Sequence, residues 1–170
     1  MKYFALQILF SFLLATHFSL AQHNLKTAEL VDNSISEWHS AAATADYSTY
    51  IKLMTKDAIF IGTDPTEHWK GKEFLDFAKP YFDKGKAWTF HKLERKIYLA
   101  ANEKTAWFDE LLDTQMGICR GSGVLSLVDG KWKIKHYVLS ISIPNANVKV
   151  IKEMNESFNQ SFINSLETNH

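Results

Sequence analysis

The sequence predicts an α+β fold in which helices come first and a curved antiparallel sheet follows. The first observation is a helical spacing near the start, where Val31, Ile35, Trp38 and Ala42 recur at i, i+4, i+7 and i+11. The second is a change of character from Trp88 onward, where β-rich runs are separated by turn residues. A sheet of this kind buries its apolar face against helices of the same chain.

The elements follow one another without a linker or a repeat. Residues 24–54 are predicted to be helical, with a new N-cap at Asp46 that opens a second short helix. A strand is expected at 58–62 and a helix at 71–83. The later strands are predicted at 88–99, 105–115, 118–128 and 131–143, and one amphipathic helix is predicted at 147–166.

The first 21 residues have the pattern of a secretory signal peptide. Lys2 gives a positive start, residues 4–14 are apolar, and Ser19-Leu20-Ala21 is a small-x-small cleavage site. The apolar core is too short to be a membrane span. We therefore expect cleavage after Ala21, a secreted or periplasmic protein, and no membrane association afterwards. The mature chain would consist of one domain over 22–146 and a C-terminal helical segment over 147–170.

Charge and cysteine content exclude several classes of function. Lys plus Arg and Asp plus Glu are both 19, and no basic stripe is present, so nucleic acid is not an expected partner. Cys119 is the single cysteine, so packing rather than an internal disulfide must hold the domain. The histidines at 68, 91 and 136 have no metal-site spacing, and no glycine-rich loop opens a helix. No metal or cofactor is expected.

The turn Asp129-Gly130 predicts a two-residue type I′ hairpin between the last two strands. Counting from this turn places Gly123 opposite His136 and puts both on the inner face, together with Gly121. Glycine at inward strand positions often marks room for another group. The sequence therefore predicts an unfilled volume beneath an inward His136.

The next strand offers two candidate carboxylates, and the length of the preceding turn decides between them. A turn of two or four residues around Met116-Gly117 points Glu110 inward, and the two-residue version aligns it with Gly123. A turn of three residues points Asp109 inward instead. The apolar neighbours at the same parity favour Glu110.

Two further segments carry candidate site residues. On strand 88–99, His91 shares its parity with Ile97 and so is a candidate second inward imidazole, although Arg95 has that parity too. The loop 60–71 presents Glu67, His68 and Trp69 side by side. These either border a binding site, or Trp69 plugs the following helix and Glu67 caps its first turn. Both interpretations stay open.

Four segments resemble the SnoaL-like family of the nuclear transport factor 2-like superfamily. They are "GTDPTEHWKG", "AWFDELLDT", "CRGSGVLSL" and "DGKWKIKHYVLSISIPN", and the matching region runs from about Val31 to Asn145. The resemblance implies a cone in which a curved antiparallel sheet and three helices enclose an inner pocket, often in a dimer. The superfamily includes polyketide cyclases, ketosteroid isomerases, dehydratases and non-catalytic members. The helix at the C-terminus is an addition to this minimal fold.

A pocket of this kind would bind a small, mostly apolar ligand between aromatic walls. The residues expected to line it are Trp38, Phe60, His68, Trp69, Tyr81, His91, Phe108, Gly121, Gly123 and Trp132.

Two alternatives use the same chain differently. In a proton-transfer enzyme, Glu110 would be the general base with a pKa raised by burial, and His136 would donate to the developing oxyanion. The plain alternative for these two residues is a buried pair that only shapes the core. In a non-catalytic interaction module, the cone would form a homodimer through its outer sheet face. The expected outward stripe is Trp107, Leu111, Tyr137, Leu139 and Ile141.

Overall fold

The computed structural model describes residues 2–168, and it describes side chains from residue 22 onward. The helices are α1 Lys2–Ala43, α2 Tyr47–Lys52, α3 Lys72–Asp83, α4 Val148–Met154 and α5 Glu156–Glu167, with a 3-10 turn at Asn145–Asn147. The strands are β1 Met54–Ile61, β2 His68–Lys70, β3 Phe90–Leu99, β4 Thr105–Thr114, β5 Gly117–Val128 and β6 Lys131–Ile141. This order confirms the α+β class.

The N-terminal helices form where the sequence predicts them. Val31, Ile35 and Trp38 are fully buried on one face of α1, as the apolar spacing requires. The predicted N-cap is confirmed, because the Asp46 carboxylate accepts the Thr49 backbone N–H at 3.0 Å. This cap begins α2 after the short turn that follows the end of α1 at Ala43.

The sheet has six strands in the order β2-β1-β6-β5-β4-β3. All neighbours are antiparallel except β1 and β6, which run parallel. The expectation of a wholly antiparallel sheet is wrong at this one pair. Strands joined by a tight turn must be antiparallel, but β1 and β6 are joined by a long connection that leaves their relative direction free.

A β-bulge in β6 shifts the predicted register and reverses the inward or outward orientation of the residues that follow it. The turn at Asp129-Gly130 forms as expected, with φ of 51° and 73°. Leu125 still pairs with Ile134, but Val124 then pairs with His136, so Lys135 is an extra residue in the strand. Beyond the bulge every side chain changes face.

The bulge has two consequences for the expected site and the expected outer stripe. Tyr137 and Leu139 are buried on the inner face, so they do not belong to the outer stripe. His136 lies on the other face, half-buried beside Ile59 of β1 and Val124 of β5. The prediction of an inward His136 is therefore wrong.

The β4–β5 turn settles which carboxylate points inward. Thr114 pairs with Gly117 around a two-residue turn at Gln115 and Met116, which gives the parity expected for Glu110. Glu110 is buried and Asp109 points to the other face. The turn is one residue earlier than expected, so Glu110 faces Gly121 rather than Gly123.

The C-terminal segment forms two helices rather than the single predicted helix, because the helical conformation is interrupted at Asn155. Their main contacts are with each other and with the preceding 3-10 turn. Apolar side chains on both helices are exposed, Met154 at 73% and Leu166 at 49% among them. The last two residues of the predicted segment, 169–170, lie outside the described part of the chain.

The predicted leader continues the backbone of α1, and its side chains lie outside the described set. Among the described residues, no helix combines the length and the apolar character that a membrane crossing requires.

Candidate functional site

Glu110 lies at the centre of a buried ionic cluster. Its side chain is on the inner face of β4, and Arg95 of β3 stands directly opposite. The Arg95 Nε and Nη2 groups donate to Glu110 Oε2 at 2.8 and 2.7 Å. The Arg95 side chain is only 1% exposed. Both nitrogens share one carboxylate oxygen, and charge-assisted hydrogen bonds of this kind are stronger than neutral ones.

The other carboxylate oxygen is occupied as well. His39 Nε2 of α1 lies 2.8 Å from Glu110 Oε1, and the Tyr137 hydroxyl donates to the same oxygen at 2.9 Å. A carboxylate offers about four lone-pair positions, two on each oxygen. All of them face donors from the protein, so no position is left for the proton of a substrate.

The cluster continues outward through Arg95 to helix α1. Arg95 Nη1 donates to Asp32 Oδ1 at 2.9 Å and to Ser36 Oγ at 3.0 Å. Lys92 pairs with the same Asp32 carboxylate at 3.0 Å. We call Asp32, His39, Arg95, Glu110 and Tyr137 the Glu110 cluster. It joins α1 to β3, β4 and β6.

The surroundings of Glu110 keep it ionised. Burial alone would raise its pKa, but the hydrogen bond and charge of His39 and the charge of Arg95 outweigh burial, and the pKa lies below its usual value. The pKa of Tyr137 is raised well above its usual value by burial and by the Glu110 carboxylate. The expected raised pKa of a general base is therefore wrong for Glu110, because two basic partners sit within hydrogen-bonding distance.

Sequence reasoning missed His39, which takes the place expected for His136. The signal was present, since Asp32, Ser36 and His39 recur at i, i+4 and i+7 and form a polar stripe beside the apolar face of α1. The imidazole is placed with Nε2 toward the carboxylate, so this nitrogen carries the proton. Its Nδ1 is buried without a hydrogen-bond partner among the described residues.

The glycines of β5 make room for the cluster and for the core rather than for a ligand. A Cβ atom at Gly121 would collide with the Tyr137 hydroxyl and lie 2.8 Å from Glu110 Oε1. A Cβ atom at Gly123 would lie 2.5 Å from the His136 carbonyl oxygen and 2.7 Å from Phe108 Cε1. The prediction of an unfilled volume at these glycines is wrong, because neighbouring side chains and backbone already fill it.

Open volume is found instead between α3 and the end of the sheet that carries the β4–β5 turn. This aromatic cavity measures about 260 Å³. Its walls are Phe60, Gly62, Thr63, Glu67, Trp69, Phe74, Phe77, Tyr81, Ala87, Trp88, Phe90, Gln115, Met116 and Leu139.

The short strand β2 explains the unusual loop 60–71. Trp69 pairs with Phe60 across β1 and β2 and points inward, where it stacks on Phe77 of α3 with ring centroids 4.1 Å apart. His68 points outward and is exposed. Glu67 lines the cavity, and its Oε2 accepts the Asp64 N–H at 3.2 Å. Of the two open interpretations, the structure therefore places Glu67 and Trp69 at a cavity, with Trp69 also packed on α3.

The structure brings only some of the predicted pocket residues together. Phe60, Trp69 and Tyr81 line the aromatic cavity, whereas Trp38 and Phe108 are packed in the core. His91 is exposed, because the bulge between Lys92 and Glu94 reverses the alternation of side chains, so that Phe90 and not His91 faces the interior. The sequence had placed Glu67 at a possible rim, and the large apolar wall residues that it did not assign to a pocket are Phe74, Phe77, Trp88, Phe90 and Leu139.

Trp132 lines a different and larger depression, which we call the hairpin cleft. It measures about 740 Å³ and lies between the second half of α1, the short helix α2 and the β5–β6 hairpin. Charged side chains, including Glu37, Lys52 and Lys131, make up much of its wall. Small-molecule sites have mostly apolar walls with a few polar groups. The aromatic cavity fits that description better than the hairpin cleft.

In the described part of the chain, no three or more His, Cys, Asp or Glu side chains converge as a metal site would require. The buried Cys119 lies near the Thr114 hydroxyl, at 3.5 Å, and acts as a core residue.

Comparisons with known proteins agree with this architecture. The SnoaL-like domain family matches residues 31–144. A nuclear transport factor 2-like protein of unknown function from Pseudomonas putida superposes with a TM-score of 0.60 at 14% identity, covering 71% of this chain and 90% of its own. An uncharacterised protein with a cystatin-like fold from Caulobacter vibrioides gives 0.59 at 15% identity, covering 75% and 99%.

A candidate ketosteroid isomerase from Shewanella frigidimarina also superposes, with a TM-score of 0.55 at 16% identity over 65% of this chain and 94% of its own. No protein of curated function matches. The fold and the family match define the class: a nuclear transport factor 2-like α+β protein. Within that class, the chain belongs to the SnoaL-like domain family. At this identity the structural neighbours show the shared fold and nothing of the activity.

Proposed function

We propose that this is an exported SnoaL-like protein whose aromatic cavity binds a small, mostly apolar ligand without transforming it. The observation that carries the proposal is the cavity wall, where Trp69, Phe77, Trp88 and Phe90 leave rings half-exposed around open volume. Removing apolar aromatic surface from water lowers the free energy, so a ligand that covers these rings would be bound favourably.

The proton-transfer alternative is less well supported. Glu110 has the low pKa of a paired carboxylate and no free lone pair, and it does not line the cavity. The one carboxylate that does line the cavity, Glu67, has no histidine among its neighbours in that wall. The described cavity wall therefore lacks the carboxylate–histidine pair on which the proton-transfer alternative depends.

The size of the cavity limits the ligand. Sites for drug-sized molecules measure about 300–1,000 Å³. The aromatic cavity, at about 260 Å³, lies just below this range. It suits a compact molecule of one or two rings better than a steroid or a polyketide.

Indole is a suitable probe for this proposal, and Ala87→Phe should block its binding. Ala87 lies in the loop before β3 and lines the cavity, so the added ring would occupy the open volume. We expect the wild type to bind indole saturably at millimolar or lower concentration by ligand-observed NMR. We expect at least a tenfold weaker signal response in Ala87→Phe, because the volume is already filled.

The matched control is Ala101→Phe, which adds the same ring at an exposed turn outside the cavity. It should bind indole as the wild type does. Binding that is equal in both variants would place the ligand elsewhere and remove the proposal.

We also propose a homodimer through the outer face of the sheet, with a corrected set of contacts. Tyr98 and Trp107 stack there with ring centroids 5.7 Å apart and remain 39% and 45% exposed. Large stacked rings on a sheet face usually mark an interaction surface. Trp107→Lys is expected to move the protein to the monomer position on a sizing column. A wild type that elutes as a monomer at high concentration refutes this proposal.

A further inference from the structure

The charge around the aromatic cavity is one-sided. Glu67 is the only acidic or basic side chain in the cavity wall, which contains no Lys, Arg or His among the described residues. The described wall residues therefore present one negative charge and no positive one to a ligand in contact with them. An anionic ligand would be repelled at short range, and a cationic one attracted.

The loop holds the Glu67 carboxylate in place without neutralising it. Glu67 forms no ion pair in the described part of the chain, and its one hydrogen bond to Oε2 comes from the Asp64 backbone N–H. The Gly62 N–H donates to the Glu67 carbonyl oxygen at 3.0 Å, which closes the loop beneath it. A Cβ atom at Gly62 would collide with this carboxylate, so glycine lets the charge lie against the backbone.

The rest of the wall also suits a positive charge. The faces of aromatic rings carry negative electrostatic potential, and a cation within about 6 Å of a ring centroid is attracted to it. Trp69, Phe77, Trp88 and Phe90 supply such rings around the open volume. Tyr81 is left out of this set, because the Lys84 ammonium group already lies 5.8 Å from its ring centroid.

We propose that the aromatic cavity selects a small organic cation, a compact ammonium compound with an apolar body, with Glu67 as its counter-ion. This inference rests on the proposed binding function and adds the charge of the ligand. The rings would surround the apolar and positively charged group, and the Glu67 carboxylate would supply the opposite charge at the rim. The aromatic rings and the Glu67 carboxylate would make only non-covalent contacts, so the site would recognise the ligand by its charge and shape alone.

Choline and 3,3-dimethylbutan-1-ol form the test pair, since they have nearly the same shape and differ in the positive charge. We expect the wild type to bind choline about tenfold more tightly than the alcohol in calorimetric or NMR titrations at low salt. In Glu67→Gln the preference should fall below about threefold, mostly through weaker choline binding. Glu94→Gln makes the same change at an exposed site on the sheet and should leave the preference unchanged.

The outcomes separate this inference from the proposed function. Equal binding of both molecules by the wild type overturns the cation preference but leaves a ligand-binding cavity. No binding of choline, the alcohol or indole overturns both. If a folded Glu67→Gln protein still prefers choline over the alcohol, the proposed role of Glu67 as counter-ion is wrong. Because the wild-type comparison needs no variant, the test holds even if Glu67→Gln does not fold.

Discussion

Glu110→Gln is expected to lower the free energy of unfolding by about 3–5 kcal/mol, the usual cost of breaking a buried ion pair by changing one partner. The side chain is 1% exposed and accepts from Arg95, His39 and Tyr137. An amide has nearly the same shape, but it removes the negative charge and turns one acceptor into a donor. The glutamine NH₂ group would then face either the two Arg95 donors or the His39 and Tyr137 donors in the protein interior.

Urea unfolding of the purified variants measures this loss directly. Asp113→Asn is the matched control, because it makes the same carboxylate-to-amide change on the same strand at an exposed position. We expect the control to stay within about 0.5 kcal/mol of the wild type, as surface substitutions usually do. Near-equal stabilities for the two variants would mean that the Glu110 cluster does not hold the fold together.

The cluster also sets the expected response to acid. The pKa values of Glu110 and Asp32 are lowered in the folded protein. Groups of this kind stabilise the fold above their unfolded pKa, near 4, and the stabilisation is lost as the pH falls through the folded pKa. The stability of the wild type should therefore fall with pH in this acidic range. The fall should be smaller in Glu110→Gln, which has no such carboxylate to protonate.

Gly123→Ala is the second substitution with a large expected effect, a loss of about 1–3 kcal/mol of unfolding free energy through overpacking. Its Cβ atom would lie 2.5 Å from the His136 carbonyl oxygen and 2.7 Å from Phe108 Cε1. The carbonyl belongs to a paired strand and cannot rotate away as a side chain can. One strand must therefore shift, and the bulge next to it would be disturbed.

Thermal and urea unfolding test this prediction against Ser122→Ala, the adjacent exposed residue on the opposite face of β5. That control should change the stability by less than about 0.5 kcal/mol. If Gly123→Ala keeps wild-type stability, the space at this position is open, and the sequence-based expectation of a vacant volume regains its basis.

Most of the fold could be predicted because its signals are local. Three of these signals each act within a few residues. They are the helical spacing of Val31, Ile35 and Trp38, the Asp46 cap, and the turn at Asp129-Gly130. The inward orientation of Glu110 depended on the length of one turn, and the two-residue turn gave the expected parity. Such features follow from period and turn chemistry alone.

The site could be predicted only in part because it depends on a single inserted residue and on contacts between distant elements. The bulge at Lys135 places Tyr137 instead of His136 on the inner face. No local sequence pattern predicts this bulge. His39 meets Glu110 across 71 positions of sequence. The cavity arises where α3 and β2 meet the β4–β5 turn, a junction of segments that sequence periodicity does not relate to one another.

The tryptophan side chains can show directly whether the aromatic cavity or the hairpin cleft is the ligand site. The chain has 5 tryptophans, and each gives one indole N–H signal in a ¹H–¹⁵N spectrum of the labelled protein. Trp69 and Trp88 line the aromatic cavity, Trp132 lines the hairpin cleft, and Trp107 lies on the outer face. On titration with unlabelled indole, we expect saturable shifts of the Trp69 and Trp88 signals while Trp107 and Trp132 stay in place. Shifts confined to Trp132, or no shift at any indole signal, would rule out the aromatic cavity as the ligand site.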